Sequence, residues 1–381
     1  MYNDLDKFEP IVRIAVIGIG GAGNNAVNRM IDDEINNVEF YVANTDKQSL
    51  SLSKCEKRII LGEQSTGGLG AGGDPAAGKK AAEESIEEIN KMIENKDMVF
   101  IAAGMGGGTG TGGAPIVAKA AKDKGILTVA IVTRPFSFEG KEKMSIAIEG
   151  INELKKVVDS IIIVSNDKLL MYESNSSVQA AFKKADSVLA SSVRTITDII
   201  MTPYLMNLDF ADLKRALKNS GVALIGYGIG SGVDKCSQAV ENAVNNPLLE
   251  TTISGARNVL CGISMGPNVS MNDVMLCINK ISALAGNELD LKFAFTTNPE
   301  LSDDIVISLV ASNYPNSDEI INNGNKQLEN NIINNFTNIQ NNINSSNEAS
   351  KDNDQGEDSQ ENKEEDYIPK FLEEDGDDSL F

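Results

Sequence analysis

The chain has 381 residues, a formal net charge of −21, no histidine and no tryptophan. At roughly 150 residues per domain, this length predicts two domains and an additional segment. The excess of acidic residues argues against a general nucleic-acid binder, which needs a basic surface to displace counterions from phosphates. The lack of histidine excludes Ser-His-Asp and Cys-His catalytic pairs and disfavours most zinc chemistry.

Cysteine use and the N-terminal sequence bear on the cellular compartment. Cys55, Cys236, Cys261 and Cys277 are scattered and form no CxxC motif, which is typical of buried thiols in a reduced cytosolic protein. The N-terminus lacks the basic and apolar regions of a signal peptide. No apolar run approaches the ~20 residues that span a bilayer. We therefore expect a cytoplasmic protein with no nucleic-acid partner and no direct membrane insertion.

The end of the chain has the composition of a disordered segment. Residues 316–347 contain 13 asparagines, and residues 348–381 contain 14 acidic residues and 3 lysines. Neither stretch can bury enough apolar surface to offset the entropy lost on ordering. We expect the folded body to end near residue 313, with a disordered Asn-rich and acidic linker at 314–365.

The first half of the chain alternates short runs of Val and Ile with amphipathic stretches. Nearly continuous apolar runs are typical of strands buried on both faces. Because strands and helices alternate, a parallel sheet with helices on both sides is expected, in a Rossmann-like α/β domain at 11–176 after a flexible N-terminus at 1–10. The predicted strands are 11–17, 38–43, 58–61, 98–103, 127–133 and 161–165.

The second half opens with apolar residues at every third or fourth position, which predicts one long central helix at 177–202. Its apolar face is wide enough to pack on two sides, so we expect it to lie between two domains. A loop and helix at 203–220 follow, and then a smaller α/β domain at 221–313. The elements predicted in that domain are strands at 222–229, 258–265, 289–296 and 305–311, and helices at 234–245 and 272–284.

The first glycine-rich turn, GIGGAG at 18–23, matches GxGxxG between a predicted strand and a helix predicted at 24–31. Glycines let the backbone approach a phosphate, and the helix N-terminus supplies N–H donors and a positive dipole end. This motif fits any nucleotide or dinucleotide. The alternative is a tight turn that serves packing only.

A second loop, residues 104–113, holds seven glycines and two threonines after the strand at 98–103 and before a helix predicted from Pro115. The entropy lost on ordering so many glycines disfavours a purely structural role, and successive N–H groups form an anion-binding nest. A third glycine-rich loop lies at 67–73. Three loops at the carboxyl ends of parallel strands should converge on one crevice and fit a nucleoside triphosphate with Mg²⁺.

Longer motifs in the chain resemble the FtsZ family of bacterial division GTPases, in the tubulin superfamily. The resemblance covers about residues 11–313 and a peptide in the tail. It implies a GTPase whose hydrolysis of GTP to GDP is activated by polymerisation. The matching motifs are GIGGAGNNAVNRMI (18–31), NTDKQSL (44–50), GLGAGGDPAAGKKAAEES (68–85), DMVFIAAGMGGGTGTGGAP (97–115), TRPFSFEG (133–140), SNDKLL (165–170), AFKKAD (181–186), NLDFADLK (207–214) and DYIPKFL (366–372).

The resemblance implies that the three loops and their flanking segments bind GTP or GDP. The residues implied at the phosphates are Gly20, Gly21, Ala22 and Asn24 of the first loop, Ala71, Gly72 and Gly73 of the third, and Gly104, Gly106, Gly107, Gly108, Thr109 and Gly110 of the second. Those implied at the sugar and base are Asn25, Pro135, Phe136, Glu139, Lys143, Asn166, Phe182 and Asp186.

Individual roles also follow from the resemblance. Glu139 would accept a hydrogen bond from a ribose hydroxyl, Phe182 would stack on the base, and Asn166 and Asp186 would recognise guanine. Lys143 stands where the family usually has arginine, and it keeps the charge without the bidentate fork. Apart from the resemblance, Asp186 and Asn166 would be interpreted as a helix-surface charge and a strand-end turn.

Asp209 and Asp212 lie three residues apart at the start of a helix predicted at 209–218, and so share one helix face. Their simplest interpretation is helix capping. The resemblance instead implies a catalytic pair that polarises the attacking water at the nucleotide of the next subunit. A head-to-tail contact of this kind does not close and builds an open filament.

The tail peptide at 366–381 contains an apolar cluster in an acidic stretch. The resemblance implies that it docks on membrane-tethering and regulatory division proteins, as a linear motif that orders on binding. It also implies a cytokinetic ring at mid-cell beneath the membrane, which recruits other division proteins. The predicted partner-binding residues are Tyr367, Ile368, Pro369, Phe371 and Leu372.

Two other functions are weighed against this one. An NAD-dependent oxidoreductase would account for GxGxxG but not for the second and third glycine loops. A nucleotide-binding regulator with the same fold that does not polymerise would account for the loops but not for the Asp209 and Asp212 pair.

Overall fold

The computed structural model describes residues 12–168, 178–202, 205, 208–245, 252–286 and 289–315. All of these residues belong to one compact unit, 1–327. The predicted N-terminal segment at 1–10, the linker beyond 315 and the tail peptide lie outside the described residues.

Seven strands form the first sheet, in the order β3-β2-β1-β4-β5-β6-β7, and every neighbouring pair is parallel. The first six were expected from their Val- and Ile-rich sequences, and each end point lies within three residues of its predicted position. The strands are β1 (Ile14–Ile19), β2 (Glu39–Asn44), β3 (Arg58–Ile60), β4 (Met98–Gly104), β5 (Leu127–Arg134), β6 (Ser160–Ser165) and β7 (Gly221–Val222).

Helices cover both faces of this sheet, as predicted. On one face, Ile17 of the sheet packs in a cluster with helix residues Val117 and Ile151. On the other face, Val16 packs in a cluster with Leu189 of the long central helix. The helices of this half are α1 (Gly20–Asp32), α2 (Lys47–Ser51), α3 (Glu63–Thr66), α4 (Pro75–Glu84), α5 (Ile86–Met92), α6 (Thr109–Asp123) and α7 (Lys141–Val157).

Two helix starts differ from the sequence expectation. Helix α1 begins at Gly20, not at residue 24, and α6 begins at Thr109, six residues before the predicted start at Pro115. The intrinsic cost of glycine in a helix favours a later start. Here tertiary packing outweighs that cost, because a Cβ on Gly112 would lie 2.0 Å from the carbonyl oxygen of Pro75 in α4.

The predicted central helix is present as α8 (Val178–Met201). The cluster that includes Leu189 of α8 also contains Val16 of the first sheet and Leu309 of the second. The helix therefore packs against both sheets, as its wide apolar face indicated. A short helix, α9 (Phe210–Leu217), follows it.

The second sheet has four strands in the order β10-β9-β11-β8 and is mixed. Strand β10 pairs parallel with β9, whereas β11 is antiparallel to both β9 and β8. The single strand predicted at 222–229 divides, because its first residue, Val222, joins the first sheet as part of β7. The elements are β8 (Leu224–Gly230), α10 (Lys235–Val244), β9 (Asn258–Met265), α11 (Met271–Ala285), β10 (Asp290–Thr297) and β11 (Ile305–Ser312).

Within the described ranges, no helix combines the length and the apolar character that crossing a bilayer requires.

Candidate functional site

A cavity of about 270 Å³ lies at the carboxyl ends of β1 and β4. The strand order reverses between these two strands, and open parallel sheets bind ligands at such a switch point. Fourteen residues predicted for GTP binding line this cavity. They are Gly20, Gly21, Ala22, Gly104, Gly107, Gly108, Thr109, Gly110, Pro135, Glu139, Lys143, Asn166, Phe182 and Asp186.

The first wall of the cavity is the N-terminus of α1. Its first turn carries no acidic residue and no side-chain cap, so N–H donors and the positive end of the helix dipole remain for an anion. A Cβ on Gly21 would meet nothing within 4 Å. Asn24 is buried behind this turn, where its side-chain amide faces the carbonyls of Gly18 and Gly20. With the amide nitrogen assigned to the atom that faces them, it donates to these carbonyls at 3.1 and 3.0 Å. Asn24 thus holds the turn and does not line the cavity.

The second wall is the glycine loop that leads into α6, a helix whose first turn is also free of acids and side-chain caps. The loop is held by two hydrogen bonds of 2.9 Å, from Gly106 N to Thr111 Oγ1 and from Met105 N to Thr133 O. Gly106 has a φ of +102°, and a Cβ there would lie 2.7 Å from the carbonyl oxygen of Lys143. The loop shape therefore depends on glycine at this position.

The glycines of the second loop have two structural roles, since some allow close packing and one leaves open space. A Cβ on Gly108 would lie 2.8 Å from both Ala71 Cβ and Asp74 O, and one on Gly110 would lie 2.5 Å from Gly104 O. These glycines allow close packing of the backbone. Gly107 has nothing within 4 Å of its Cβ position, so it leaves space at the cavity. The entropy lost on ordering these glycines is thus offset in two ways, by close backbone packing and by an open surface of N–H groups at the cavity.

One end of the cavity carries an acid, an amide and an aromatic ring. Burial raises the pKa of Asp186 to about 6, although the charge of Arg29 opposes this shift. Asn166 is 6% exposed, and its Oδ1 has no hydrogen-bond partner among the described residues. Phe182 lies one turn before Asp186 on α8 and is partly exposed. A planar base with N–H donors would satisfy both polar groups and stack on the ring.

The segment after β5 forms the side of the cavity between these two ends. Glu139 Oε1 accepts a hydrogen bond from Phe136 N at 2.8 Å, and Lys143 Nζ pairs with Glu139 Oε2. Phe136 is fully buried and contacts the ring of Phe182 edge-on, at 5.0 Å between centroids. It supports the aromatic wall from behind and does not line the cavity, which differs from its predicted place beside the ribose.

Part of the predicted set lies outside this cavity. Ala71 is adjacent to Gly108 in the second loop, so the third glycine loop contacts the second without lining the cavity. Gly72 and Gly73 are exposed, with positive φ and open space at their Cβ positions. Asn25 is exposed on α1.

Sequence analysis missed four lining residues, which are Ile19, Met105, Thr133 and Ala185. Each is a direct neighbour of a predicted residue or motif, and position next to the glycine loops was the signal for Met105 and Ile19. Three of them, Ile19, Met105 and Ala185, are apolar and carry no binding chemistry that a sequence pattern could reveal, whereas Thr133 has a hydroxyl and begins the motif at 133–140.

The carboxylates of Asp209 and Asp212 do not line the cavity. Asp209 is the N-cap of α9, and its Oδ1 accepts a hydrogen bond from Asp212 N at 2.8 Å. Asp212 pairs with Lys292 of β10, whose ammonium group holds the pKa of that carboxyl below its usual range. The capping interpretation of Asp209 is therefore correct as local structure. The predicted partner-binding residues of the tail lie outside the described residues.

Two family models and several solved structures match this chain. The family model for the Tubulin/FtsZ GTPase domain matches residues 13–174, and the model for the FtsZ C-terminal domain matches residues 221–314. Among solved structures, the empty FtsZ dimer from M. jannaschii is 38% identical, with a TM-score of 0.73, and the match covers 79% of this chain and 88% of that one.

More distant structures share the fold. CetZ1 from Haloferax volcanii, a GDP-bound monomer, is 23% identical with a TM-score of 0.70, and the match covers 84% of this chain and 99% of that one. CetZ2 from the same organism, a GTPγS-bound protofilament, is 18% identical with a TM-score of 0.68 over 84% of this chain and 99% of that one. These neighbours are archaeal, so the bacterial attribution stays a prediction.

The matches confirm the predicted family, the α/β fold and the enzyme class. The GTPase domain implies that the chain binds GTP or GDP. The cavity with its glycine loops, two uncapped helix ends and buried acid is the candidate site for that nucleotide. The chain is a tubulin-like GTPase and belongs to the FtsZ family.

Proposed function

We propose that the chain assembles head to tail and hydrolyses GTP at the contact between subunits. The observation that carries this proposal is the separation of two groups of residues. The acidic side chains that line the cavity are Glu139, which is paired with Lys143, and Asp186, at the base end. Asp209 and Asp212 lie elsewhere on the same chain, so a second subunit is needed to bring them to the nucleotide.

The cavity supports specific roles for its residues toward GTP. Backbone N–H groups at the starts of α1 and α6 bind the phosphates, as two helix N-termini favour. The Asp186 carboxylate and the Asn166 amide oxygen accept hydrogen bonds from the N–H groups of guanine, which adenine lacks, while Phe182 stacks on the base. Glu139 accepts from the ribose, with Lys143 beside it.

Mg²⁺ belongs to the proposal as a partner of the nucleotide. Within the described ranges, no group of three or more Cys, Asp or Glu side chains is arranged to hold a metal ion. Mg²⁺ is commonly bound through substrate phosphates and waters, with few protein ligands. It would supply charge neutralisation at the phosphates.

Self-assembly is supported by the relatives. The similar M. jannaschii protein is described as a dimer, and the more distant CetZ2 as a protofilament. A contact that joins the α9 face of one subunit to the nucleotide face of the next is heterologous, and such contacts build open filaments. Loss of the γ-phosphate after hydrolysis would weaken that contact.

The biological role follows from family membership. We propose that the filaments form the cytokinetic ring at mid-cell, beneath the membrane, and recruit other division proteins. In this assignment, residues 11–176 bind GTP together with Phe182 and Asp186 of the central helix at 177–202. The segment at 203–220 carries the catalytic acids, and 221–313 forms the C-terminal α/β domain. The linker at 314–365 carries the peptide at 366–381, which binds membrane-tethering and regulatory partners.

The first experiment is GTP turnover as a function of protein concentration, with Mg²⁺ present. Activity close to zero below a threshold concentration, and linear above it, is expected when the active site is completed between subunits. Activity proportional to concentration from the start would contradict the shared site. Sedimentation of the same samples should show polymer appearing at the same threshold.

A nucleotide-binding regulator that does not polymerise is the second candidate. It is favoured by one observation, namely that Asp209 and Asp212 already have structural partners within the chain. Under this alternative, the protein binds GTP but shows no turnover and no polymer at any concentration.

A further inference from the structure

Four charged side chains connect α9 with β10. Lys292 Nζ donates to Oδ1 of Asp212, and Arg215 Nη2 donates to Asp290 Oδ2 at 3.3 Å. Arg215 Nη2 also lies 4.0 Å from Asp212 Oδ1. Residues two apart on a strand share one side, and residues three apart on a helix share one face. The two pairs therefore set the position of α9 along the edge strand of the second sheet.

The two pairs differ in exposure. The side chains of Lys292 and Asp212 are 30% and 24% exposed, whereas those of Arg215 and Asp290 are 62% and 57% exposed. Solvent screens the outer pair more strongly, and exposed ion pairs contribute little to stability. The inner pair therefore has the greater influence on the carboxylate of Asp212.

The contacts of Asp212 leave one oxygen in a distinct position. Among the hydrogen bonds and ion pairs of the described residues, Lys292 and Arg215 both contact Oδ1. The backbone N–H of the same residue is held by Asp209. The backbone N–H of Asp209 also forms a hydrogen bond with the Asp212 carboxylate and lowers its pKa further. The carboxylate is thus fixed through its helix, through Asp209 and through the cation contacts at Oδ1. Oδ2, which neither cation contacts in these bonds, retains a lone pair that can accept from a water molecule.

We propose that Lys292 is a positioning residue for GTP hydrolysis, which holds Oδ1 of Asp212 so that Oδ2 can accept a hydrogen bond from the attacking water at the adjoining subunit's nucleotide. This inference rests on the proposed function, because it requires Asp212 to act across the subunit contact. Lys292 touches neither substrate nor water in this arrangement and acts through Asp212.

The charges around Asp212 are consistent with this role. Lys292 on β10 and Arg215 on α9 are the cations that face it, and Asp209 and Asp290 are the nearby acids. The two cations offset the repulsion between the carboxylates, so that Asp212 stays ionised when an anionic nucleotide approaches. Without Lys292, the cation that remains among these four side chains is Arg215, whose Nη2 lies 4.0 Å from Asp212 Oδ1.

The test compares the full-length protein with Lys292→Met, which keeps an unbranched side chain about as long as the aliphatic part of lysine and removes the charge. Turnover at saturating GTP, per subunit in sedimented polymer, should fall about tenfold, because small misplacement of a catalytic group has large effects on rate. GTP affinity and the threshold concentration should stay unchanged. Lys292→Arg should restore turnover to within about threefold, since it keeps the charge at the same carboxylate.

Two further measurements separate positioning from a structural role. Lys280→Met is the matched control, because Lys280 forms a 2.6 Å ion pair with Glu241 in the same half of the chain, away from α9. It should retain wild-type turnover. On an Asp212→Ala background, Lys292→Met should cause no additional loss, whereas an additive loss would show that Lys292 acts elsewhere. Lys292→Gln serves as a second uncharged variant, and thermal melting verifies that each variant folds.

Unchanged or increased turnover in folded Lys292→Met and Lys292→Gln, with a normal threshold in the wild type, would overturn the role of Lys292 and leave the shared site intact. A wild-type protein without a concentration threshold would overturn both. An increase in particular would show that Lys292 restrains Asp212 and does not position it for catalysis.

Discussion

The cavity at the ends of β1 and β4 is formed mainly by backbone, whereas the face of α9 that carries Asp209 and Asp212 is formed by charged side chains. In the cavity, uncapped N-termini of α1 and α6 supply N–H donors, and glycines leave the space beside them. On α9, a capping carboxylate and an ion-pair network define the surface.

Under the proposed function, this difference separates binding from hydrolysis. A backbone site is fixed as soon as the sheet and helices pack, so it can hold nucleotide in a single subunit. The proposal requires the side-chain surface of α9 to act only when a second subunit brings it to the phosphates. Assembly would then control the reaction, and the two regions can be mutated independently.

The largest effect is expected from Asp212→Ala. Because this change removes the carboxylate that acts on water, turnover should fall by roughly 100-fold or more, while GTP affinity stays at the wild-type level. Turnover and equilibrium binding are measured on the same preparation. Asp290→Asn is the control, since Asp290 belongs to the exposed outer pair. Full turnover in Asp212→Ala would mean that the two acids are only structural.

A large effect in the other region is expected from Gly110→Ala. Its Cβ would lie 2.5 Å from the carbonyl oxygen of Gly104, so the loop must shift and GTP affinity should fall by at least about tenfold. Gly113→Ala is the matched control in the same helix, because its Cβ would make an ordinary 3.4 Å contact with Ile19. It should bind normally and be slightly more stable. Equal binding by both variants would contradict the predicted role of the loop.

Asp186, at the end of the cavity assigned to the guanine base, predicts that nucleotide binding depends on pH. In the nucleotide-free protein, burial raises the pKa of Asp186 to about 6, and the ionised form accepts two hydrogen bonds from guanine, whereas the protonated form turns one oxygen into an O–H donor. GDP affinity should therefore be constant above pH 7 and fall about tenfold between pH 7 and pH 5, as the carboxyl protonates. Asp186→Asn should bind more weakly at pH 7 and lose this dependence. Calorimetric titration at several pH values measures both, and a flat profile in the wild type would remove Asp186 from base recognition.

The smallest effect is expected from Phe182→Leu. Loss of a stacked ring should weaken GTP binding by about three- to tenfold, as aromatic contacts contribute about 1 kcal/mol. Phe138→Leu is the control, because Phe138 is exposed and stacks on Phe136 without lining the cavity. Fluorescent-nucleotide titration compares the two. Equal affinity in both variants would place the base away from Phe182.

Much of the fold was accessible from the sequence because its signals are local. Strands β1, β4 and β5 are buried along nearly their whole length, and so they appear as continuous apolar runs. The central helix shows a clear 3.6-residue period, and its predicted start and end are within one residue of Val178–Met201. The position of the cavity was predicted from local sequence as well, because two of the glycine-rich loops that line it directly follow strands.

The errors occurred where packing outweighed local preference. Glycine and proline signals placed the start of α6 at Pro115, but close contact with α4 carries the helix back to Thr109. The strand predicted at 222–229 divides between two sheets, which depends on partners that are distant in sequence. Helix α7 was not singled out, although it packs on α6 and contributes Ile151 to the core.

For the site, residue types and their order along the chain were enough to predict a phosphate-binding crevice lined by glycine loops. The residues assigned to the base came from the family resemblance, and their roles stay predictions. The sequence did not indicate how exposed each side chain is or which groups it contacts, because these depend on which surfaces meet after folding. Packing buries Phe136 behind Phe182, turns Asn24 toward backbone carbonyls, and raises the pKa of Asp186. Packing also places Lys292 against Asp212, two residues 80 positions apart, and no sequence period or motif connects them. Local structure depends on neighbouring residues and can be predicted from their order. Contacts between residues far apart in the sequence form only when the two sheets and the central helix pack into one core.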